Sequence, residues 1–270
     1  MDAKRLRHLA AEVDQEHRVA MDDVERALGR RALVRGLGGF AVSVAGISVA
    51  IPALAGAAAA QQSSTTTIGG QGPTSGTTVA GVTTTGSPTT TSPAAATTTT
   101  TSPPDKPQPT DLVFLSFAQS VELAAVQAYG VALSSTLLGD AVAEPARAFQ
   151  RHHLDHAQAF AGMAGKTATG VANQSLLAAF GTELQGAANE GQLVRAMFAI
   201  EMAAAATYTA GLAQILGTDP ASLVASILPI ESRHAVVLGA ALNLDVNEYS
   251  PVFEPVTGAL TPEQYPILER

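Results

Sequence analysis

An internal repeat constrains the fold more than any other feature of this chain. At an offset of 79, VELAAVQAYGVAL (121–133) aligns with IEMAAAATYTAGL (200–212), matching Glu122 with Glu201, Tyr129 with Tyr208, and Ala124, Ala125 and Leu133 with Ala203, Ala204 and Leu212. At an offset of 78, RHHLDHA (151–157) falls on PIESRHA (229–235), matching His156 with His234 and His153 with Glu231. Chance does not readily repeat polar residues at repeated spacings. The chain therefore builds one two-part unit twice.

Each part is a helix. From Asp111 onward apolar residues recur at steps of three and four, β-branched runs are scarce, and Ala, Leu and Gln dominate. Four long segments are predicted, at about 111–137, 145–165, 190–215 and 220–242. The second opens with Pro145 at a first helical position. The fourth opens Thr218-Asp219-Pro220, an N-cap with a first-turn proline. Short loops join the first to the second and the third to the fourth, while some 25 residues, with room for a short helix near 175–186, separate the second from the third. The expected fold class is all-α: two helical hairpins joined by a long crossover, the ferritin-like form of the four-helix bundle. The tail, 244–270, has four prolines and is expected to cross the bundle as extended chain and turns.

Helical phase places the repeated polar residues inside. Leu115, Ala118, Glu122, Ala125, Tyr129 and Leu133 form one stripe on the first segment, and Val194, Phe198, Glu201, Ala205, Tyr208 and Leu212 form the same stripe on the third. Phe149, His153, His156, Phe160 and Met163 line the second, and Leu223, Ile227, Glu231, His234 and Leu238 the fourth. His152 and Asp155 fall roughly 100° off their stripe, so His152 is expected either behind the inward residues or in solvent. Three buried carboxylates repel one another strongly unless protonated or neutralised. No Lys or Arg lies on these stripes, so a metal is the economical counter-charge. One Glu from each of two helices plus a Glu-x-x-His pair from each of the other two is the di-iron or di-manganese arrangement of ferritin-like carboxylate proteins. Pro229 removes one backbone hydrogen bond from the fourth helix and is expected to kink it just before Glu231.

At these residues the chain, over 111–243, resembles the ferritin and rubrerythrin superfamily, and within it ferritin-like domain proteins of a secreted actinobacterial type. The resemblance implies Glu122 and Glu201 as terminal ligands, Glu231 as a bridging ligand, and His156 and His234 as nitrogen ligands. It implies Tyr129 and Tyr208 as groups supporting the ligands. His153 stands where the family has its other bridging glutamate. That departure lowers the ligand charge and implies either two ions of iron or manganese or, if His153 weakens the site, one.

The N-terminal 110 residues differ from the rest. Residues 1–28 are charged and read as a polar helix or as disordered chain. Arg30-Arg31 precedes a stretch uncharged from Gly36 onward that ends in Ala53-Leu54-Ala55 and Ala58-Ala59-Ala60, sites of the Ala-x-Ala kind. This resembles a twin-arginine export signal, with Gly29 and Leu33 departing from the usual residues. The stretch also exceeds the roughly 20 apolar residues that span a bilayer, so an uncleaved anchor is the alternative to a cleaved signal. Residues 61–110, rich in Thr, Ser, Pro and Gly, hold two charges and almost nothing that could pack. They are expected to be a disordered linker of the glycosylated-stalk kind, reaching on the order of 40 Å. The domain reading is thus 1–60 charged region and export signal or anchor, 61–110 linker, and 111–270 bundle with tail.

With no cysteine, disulfides, thiolate catalysis and iron-sulfur ligation are excluded, so any metal is held by His, Glu, Asp or Tyr. Residues 61–270 carry seven Lys/Arg against sixteen Asp/Glu, which argues against a nucleic-acid partner. Two functions follow. One is an exported di-metal oxidoreductase handling oxygen or peroxide in the periplasm, the cell envelope or the medium. The other is a non-enzymatic envelope module, tethered through its N-terminal segment, with a weak or decayed metal site.

Overall fold

The computed structural model describes residues 1–28, 102–249 and 258–267. The chain divides into two units, Met1–Ala41 with Ser102–Arg270, and Val42–Thr101. The second unit lies outside the described residues, as do the sequence-predicted export signal or anchor and residues 61–101 of the predicted linker. The described residues form helices α1 (Ala3–Leu28), α2 (Pro109–Ser134), α3 (Asp140–Ala164), α4 (Gln174–Gln185), α5 (Glu190–Leu212), α6 (Thr218–Ala241) and the short α7 (Val246–Tyr249). No strand occurs among the described residues.

The packing is that of two hairpins. α2 lies along α3 and α5 along α6, with further contacts of α2 to α5 and of α3 to α6 that close a four-helix bundle. α4, in the crossover, covers the groove between α2 and α5, and α1 covers the opposite groove, between α3 and α6. α2 and α6 are long and apolar enough to cross a bilayer, but most of that surface is buried against neighbouring helices. The core falls into apolar layers: Tyr129, Phe149, Met197 and Leu238 share one, Leu115, Phe160, Tyr208 and Ile227 another. The glutamates and histidines of the repeat lie between them.

Helix ends show why the elements start where they do. Pro109 opens α2, where its missing N–H costs nothing. The buried Asp111 carboxylate accepts from the backbone N–H of Gln108 (2.8 Å), Leu216 (2.9 Å) and Gly217 (2.9 Å), clamping the start of α2 to the α5–α6 loop. Although burial opposes ionisation, these three donors hold the Asp111 carboxyl below its usual value. Asn173 and Asn189 cap α4 and α5, accepting at 3.0 Å from Leu176 and Gln192.

Several expectations are corrected. Pro145 is not the first residue of its helix: α3 begins at Asp140, and Pro145 sits inside it. The buried Val142 and Ala143 continue the apolar face back past the proline, and burying them outweighs one lost backbone bond. The cap of α6 is Gly217, not Thr218. Residues 102–110 are not all free chain. The carbonyls of Pro104 and Asp105 accept from the N–H of Thr218 and Asp219, both at 2.9 Å, satisfying the start of α6. Glycine is required at 217 because a Cβ there would meet the Lys106 carbonyl oxygen at 2.7 Å. Near the C-terminus, Leu260, Tyr265 and Ile267 pack on the cluster beneath α4, and Asn173 donates to the Tyr265 carbonyl at 2.8 Å.

The largest difference is α1. Its Leu6, Ala10, Val13, His17 and Val24 are buried along one face, at helical steps, while the intervening Arg, Glu and Asp are mostly exposed. A helix read as polar from its charge count is amphipathic, and its narrow apolar face packs on the bundle.

Asp111→Ala strands three backbone N–H groups and is expected to destabilise the protein by about 2–3 kcal/mol, read by chemical denaturation. Asp111→Asn, which keeps one acceptor oxygen, is expected to lose less.

Candidate metal centre

Each side chain of the centre comes from a helix phase already set by the repeat. Glu122 projects from α2 and Glu201 from α5, on the α4 side of the bundle, while His153 and His156 from α3 and Glu231 and His234 from α6 lie nearer α1. All six are 0–1 % exposed. They form two overlapping groups, Glu122–His153–His156–Glu231 and His153–Glu201–Glu231–His234, each with one donor atom per residue within 4.8 Å of the others.

The two groups share His153 and Glu231, each of which approaches members of both. Glu231 Oε1 lies 2.6 Å from His156 Nδ1, while its Oε2 lies 3.3 Å from His234 Nδ1. His153 lies between the other two glutamates, Nδ1 2.8 Å from Glu122 Oε2 and Nε2 3.1 Å from Glu201 Oε1. His234 Nδ1 is also 3.1 Å from Glu201 Oε2.

The two tyrosines cross over. Tyr129 of α2 donates to Glu201 of α5, and Tyr208 of α5 donates to Glu122 of α2. Each hairpin thus orients the carboxylate of the other. Burial, and then the charge of the neighbouring glutamate, push both phenols well above their usual value, so both remain O–H donors.

Electrostatics in this dry core are governed by pairing. Burial opposes every charge here, yet the neighbouring histidines hold Glu122 down at about 2 and Glu201 well below the carboxylate range. Against the same burial, the glutamates raise His153 and His234 and hold His156 at about 9. The histidines themselves therefore supply counter-charge that a survey of Lys and Arg overlooks. This compensation is incomplete in geometry. The short approach of His156 Nδ1 to Glu231 Oε1 is outside hydrogen-bonding geometry, leaving both atoms, and His156 Nε2, buried without a hydrogen-bond partner among the described residues. Buried polar atoms aimed at a shared space, with carboxylate oxygen and imidazole nitrogen as donors, fit a hard-to-borderline cation such as iron or manganese.

His152 is not solvated. It is 2 % exposed, with Nδ1 3.0 Å from His234 Nε2 and Nε2 3.1 Å from Asp14 Oδ1 on α1. His17 of α1 stacks on the same ring at 3.8 Å between centroids. Burial, then the neighbouring histidines, lower His152 far below the imidazole range and His17 to about 3, so both rings are neutral. Asp14 and His17 are absent from the sequence-predicted site. Their signal was the 6–10–13–17–24 stripe, hidden by the charge around it.

A sequence model of the ferritin-like domain family matches residues 110–244. No characterised protein and no solved structure matches the chain.

Stability should follow these pairings. A raised histidine contributes fully below its unfolded value of 6.5, and that contribution is lost as pH rises through about 9 for His156. Protein stripped of metal is therefore expected to melt lower at pH ~10 than at pH ~7. Added Mn(II) should flatten this slope and, by displacing protons from the imidazoles, acidify a weakly buffered solution.

Proposed function

Because the chain belongs to the ferritin-like domain family, we propose that it is a two-metal carboxylate–histidine protein that binds iron or manganese and acts as an oxidoreductase on oxygen or peroxide. The observation that carries this reading is the pair of four-residue donor groups sharing His153 and Glu231. Glu122 and His156 would hold one ion, Glu201 and His234 the other, and Glu231 would span both. Bound iron or manganese would supply the electron-transfer chemistry. The chain's own residues contribute a buried, water-poor setting, carboxylates oriented by Tyr129 and Tyr208, and phenolic protons held at the edge of the site.

A second reading is a structural bundle held by imidazolium–carboxylate pairs, and the close approaches of His153 and His234 to Glu122 and Glu201 favour it. Anaerobic titration of metal-free protein with Fe(II) or Mn(II) separates the two. Saturable uptake of one or two ions per chain supports the first reading, and no uptake leaves the second.

The place of action proposed is outside the cytoplasm, supported by the basic-then-apolar run at 30–60 and the Thr/Ser/Pro-rich stretch after it. Replacing Arg30 and Arg31 with lysine is expected to retain the protein in the cytoplasm, read by fractionation. Unchanged secretion would sink the twin-arginine route.

His153 sets the affinity for the second ion. A neutral imidazole gives one lone pair to one ion, whereas a carboxylate can span two and offset part of their repulsion. His153→Glu is expected to raise occupancy towards two ions per chain. Without metal it should destabilise the protein, because a fourth carboxylate replaces an imidazolium between Glu122 and Glu201. Glu201→Ala and Glu231→Ala are expected to lose bound metal. Tight uptake of two ions by the unaltered protein would show that His153 is no handicap.

A further inference from the structure

We propose that Asp14 of α1 is a positioning residue for the metal centre, fixing the proton positions of His152 and, through it, of His234, so that the N-terminal helix completes the site. The inference rests on the two-metal reading above for its effect on affinity, but the hydrogen-bond relay stands on geometry alone.

The relay runs from the surface inward. Asp14 Oδ1 is 3.1 Å from His152 Nε2, His152 Nδ1 is 3.0 Å from His234 Nε2, and His234 Nδ1 faces Glu201 Oε2 and Glu231 Oε2 at 3.1 and 3.3 Å. A carboxylate can only accept a hydrogen bond, so the proton of His152 sits on Nε2. Its Nδ1 then carries the lone pair and must accept from His234 Nε2–H. Because Nε2 keeps its hydrogen, Nδ1 of His234 is the atom that would give up its proton and turn a lone pair towards a cation between Glu201 and Glu231. Each link dictates the next, and the first is held by a side chain 138 residues away in sequence.

Nothing within the bundle replaces that first link. His152 lies in the α3–α6 groove that α1 covers, and both of its ring nitrogens are already assigned, one to His234 and one to Asp14. The stacked His17 ring seals the groove above it. The helix is held in register independently of Asp14, by the buried Leu6, Ala10, Val13 and Val24 and by Glu16 Oε2, 2.5 Å from Arg233 Nε on α6. The repeat supplies no second copy of this device: the position matching His152 in the other hairpin is Ile230. The two metal positions therefore differ in support, with His234 backed by a carboxylate-oriented imidazole and His156 Nε2 left without a partner among the described residues.

The test uses the full chain. Nitrogen-resolved spectra of the histidine rings in metal-free protein are expected to show His152 as the Nε2–H tautomer. Asp14→Ala should mix its tautomers and weaken Co(II) binding roughly ten-fold, the scale of losing an outer hydrogen-bond partner of a ligand. Asp14→Asn, which keeps an acceptor oxygen, should restore most of both, and Asp22→Ala on the exposed face of α1 should change neither. Val13→Asp, which breaks the apolar stripe and releases the helix, should reproduce the Asp14→Ala result. Unchanged tautomer and affinity in Asp14→Ala overturn the proposal, and so does a weaker affinity with the tautomer unchanged, because the effect then bypasses His152. If the unaltered protein binds no Co(II), the two-metal reading fails, and the tautomer of His152 decides the relay by itself.

Discussion

The structure depends on one constraint: three carboxylates and three imidazoles meet where water does not reach. An isolated charge there is prohibitive, and breaking one member of a buried pair costs several kcal/mol. Every nearby feature answers that cost. Glu122 and Glu201 each accept from a histidine and from the tyrosine of the opposite hairpin. Apolar layers above and below keep the dielectric low, which strengthens each pairing and penalises each omission. The same balance makes the centre convertible, because protons on the imidazoles and divalent cations compete to neutralise one set of carboxylates.

Much of this was legible in the sequence because the repeat carries its own register. Glu122, Tyr129, Glu201 and Tyr208 are separated by whole helical turns from the apolar residues around them, so phase alone turns them inward. The Glu-x-x-His spacing of Glu231 and His234 did the same for α6. What phase could not give was partnership across helices. That Tyr129 serves Glu201 rather than Glu122, seven residues before it, depends on how the hairpins are juxtaposed. Nor could it locate His152, whose environment is set by a helix more than a hundred residues away.

α1 shows how composition misleads. Fifteen Lys, Arg, Asp and Glu residues among the first sixty suggested a solvated segment, and solvation is indeed where nearly all of those side chains in α1 point. A helix needs only about one apolar residue per turn to dock, however, and Leu6, Ala10, Val13 and Val24, helped by the half-buried Ala20 and Met21, come close to that. Pro145 is the local counterpart: a residue that often starts helices was overridden by apolar neighbours on its N-terminal side.

The docking of α1 also bears on which side of a membrane the chain can occupy. α1 precedes the apolar run that begins at Gly36, and the bundle follows it. A polypeptide that threads a bilayer once delivers its two flanks to opposite compartments, and a side chain cannot hydrogen-bond across some 30 Å of hydrocarbon. The Asp14–His152 contact therefore requires that both flanks of the run share one compartment. Passage through the membrane, by cleavage or by anchoring, would strip the helix from its groove and leave His152 exposed. The N-terminal helix would then work as a tethered escort, present while the centre is assembled and left behind at the border.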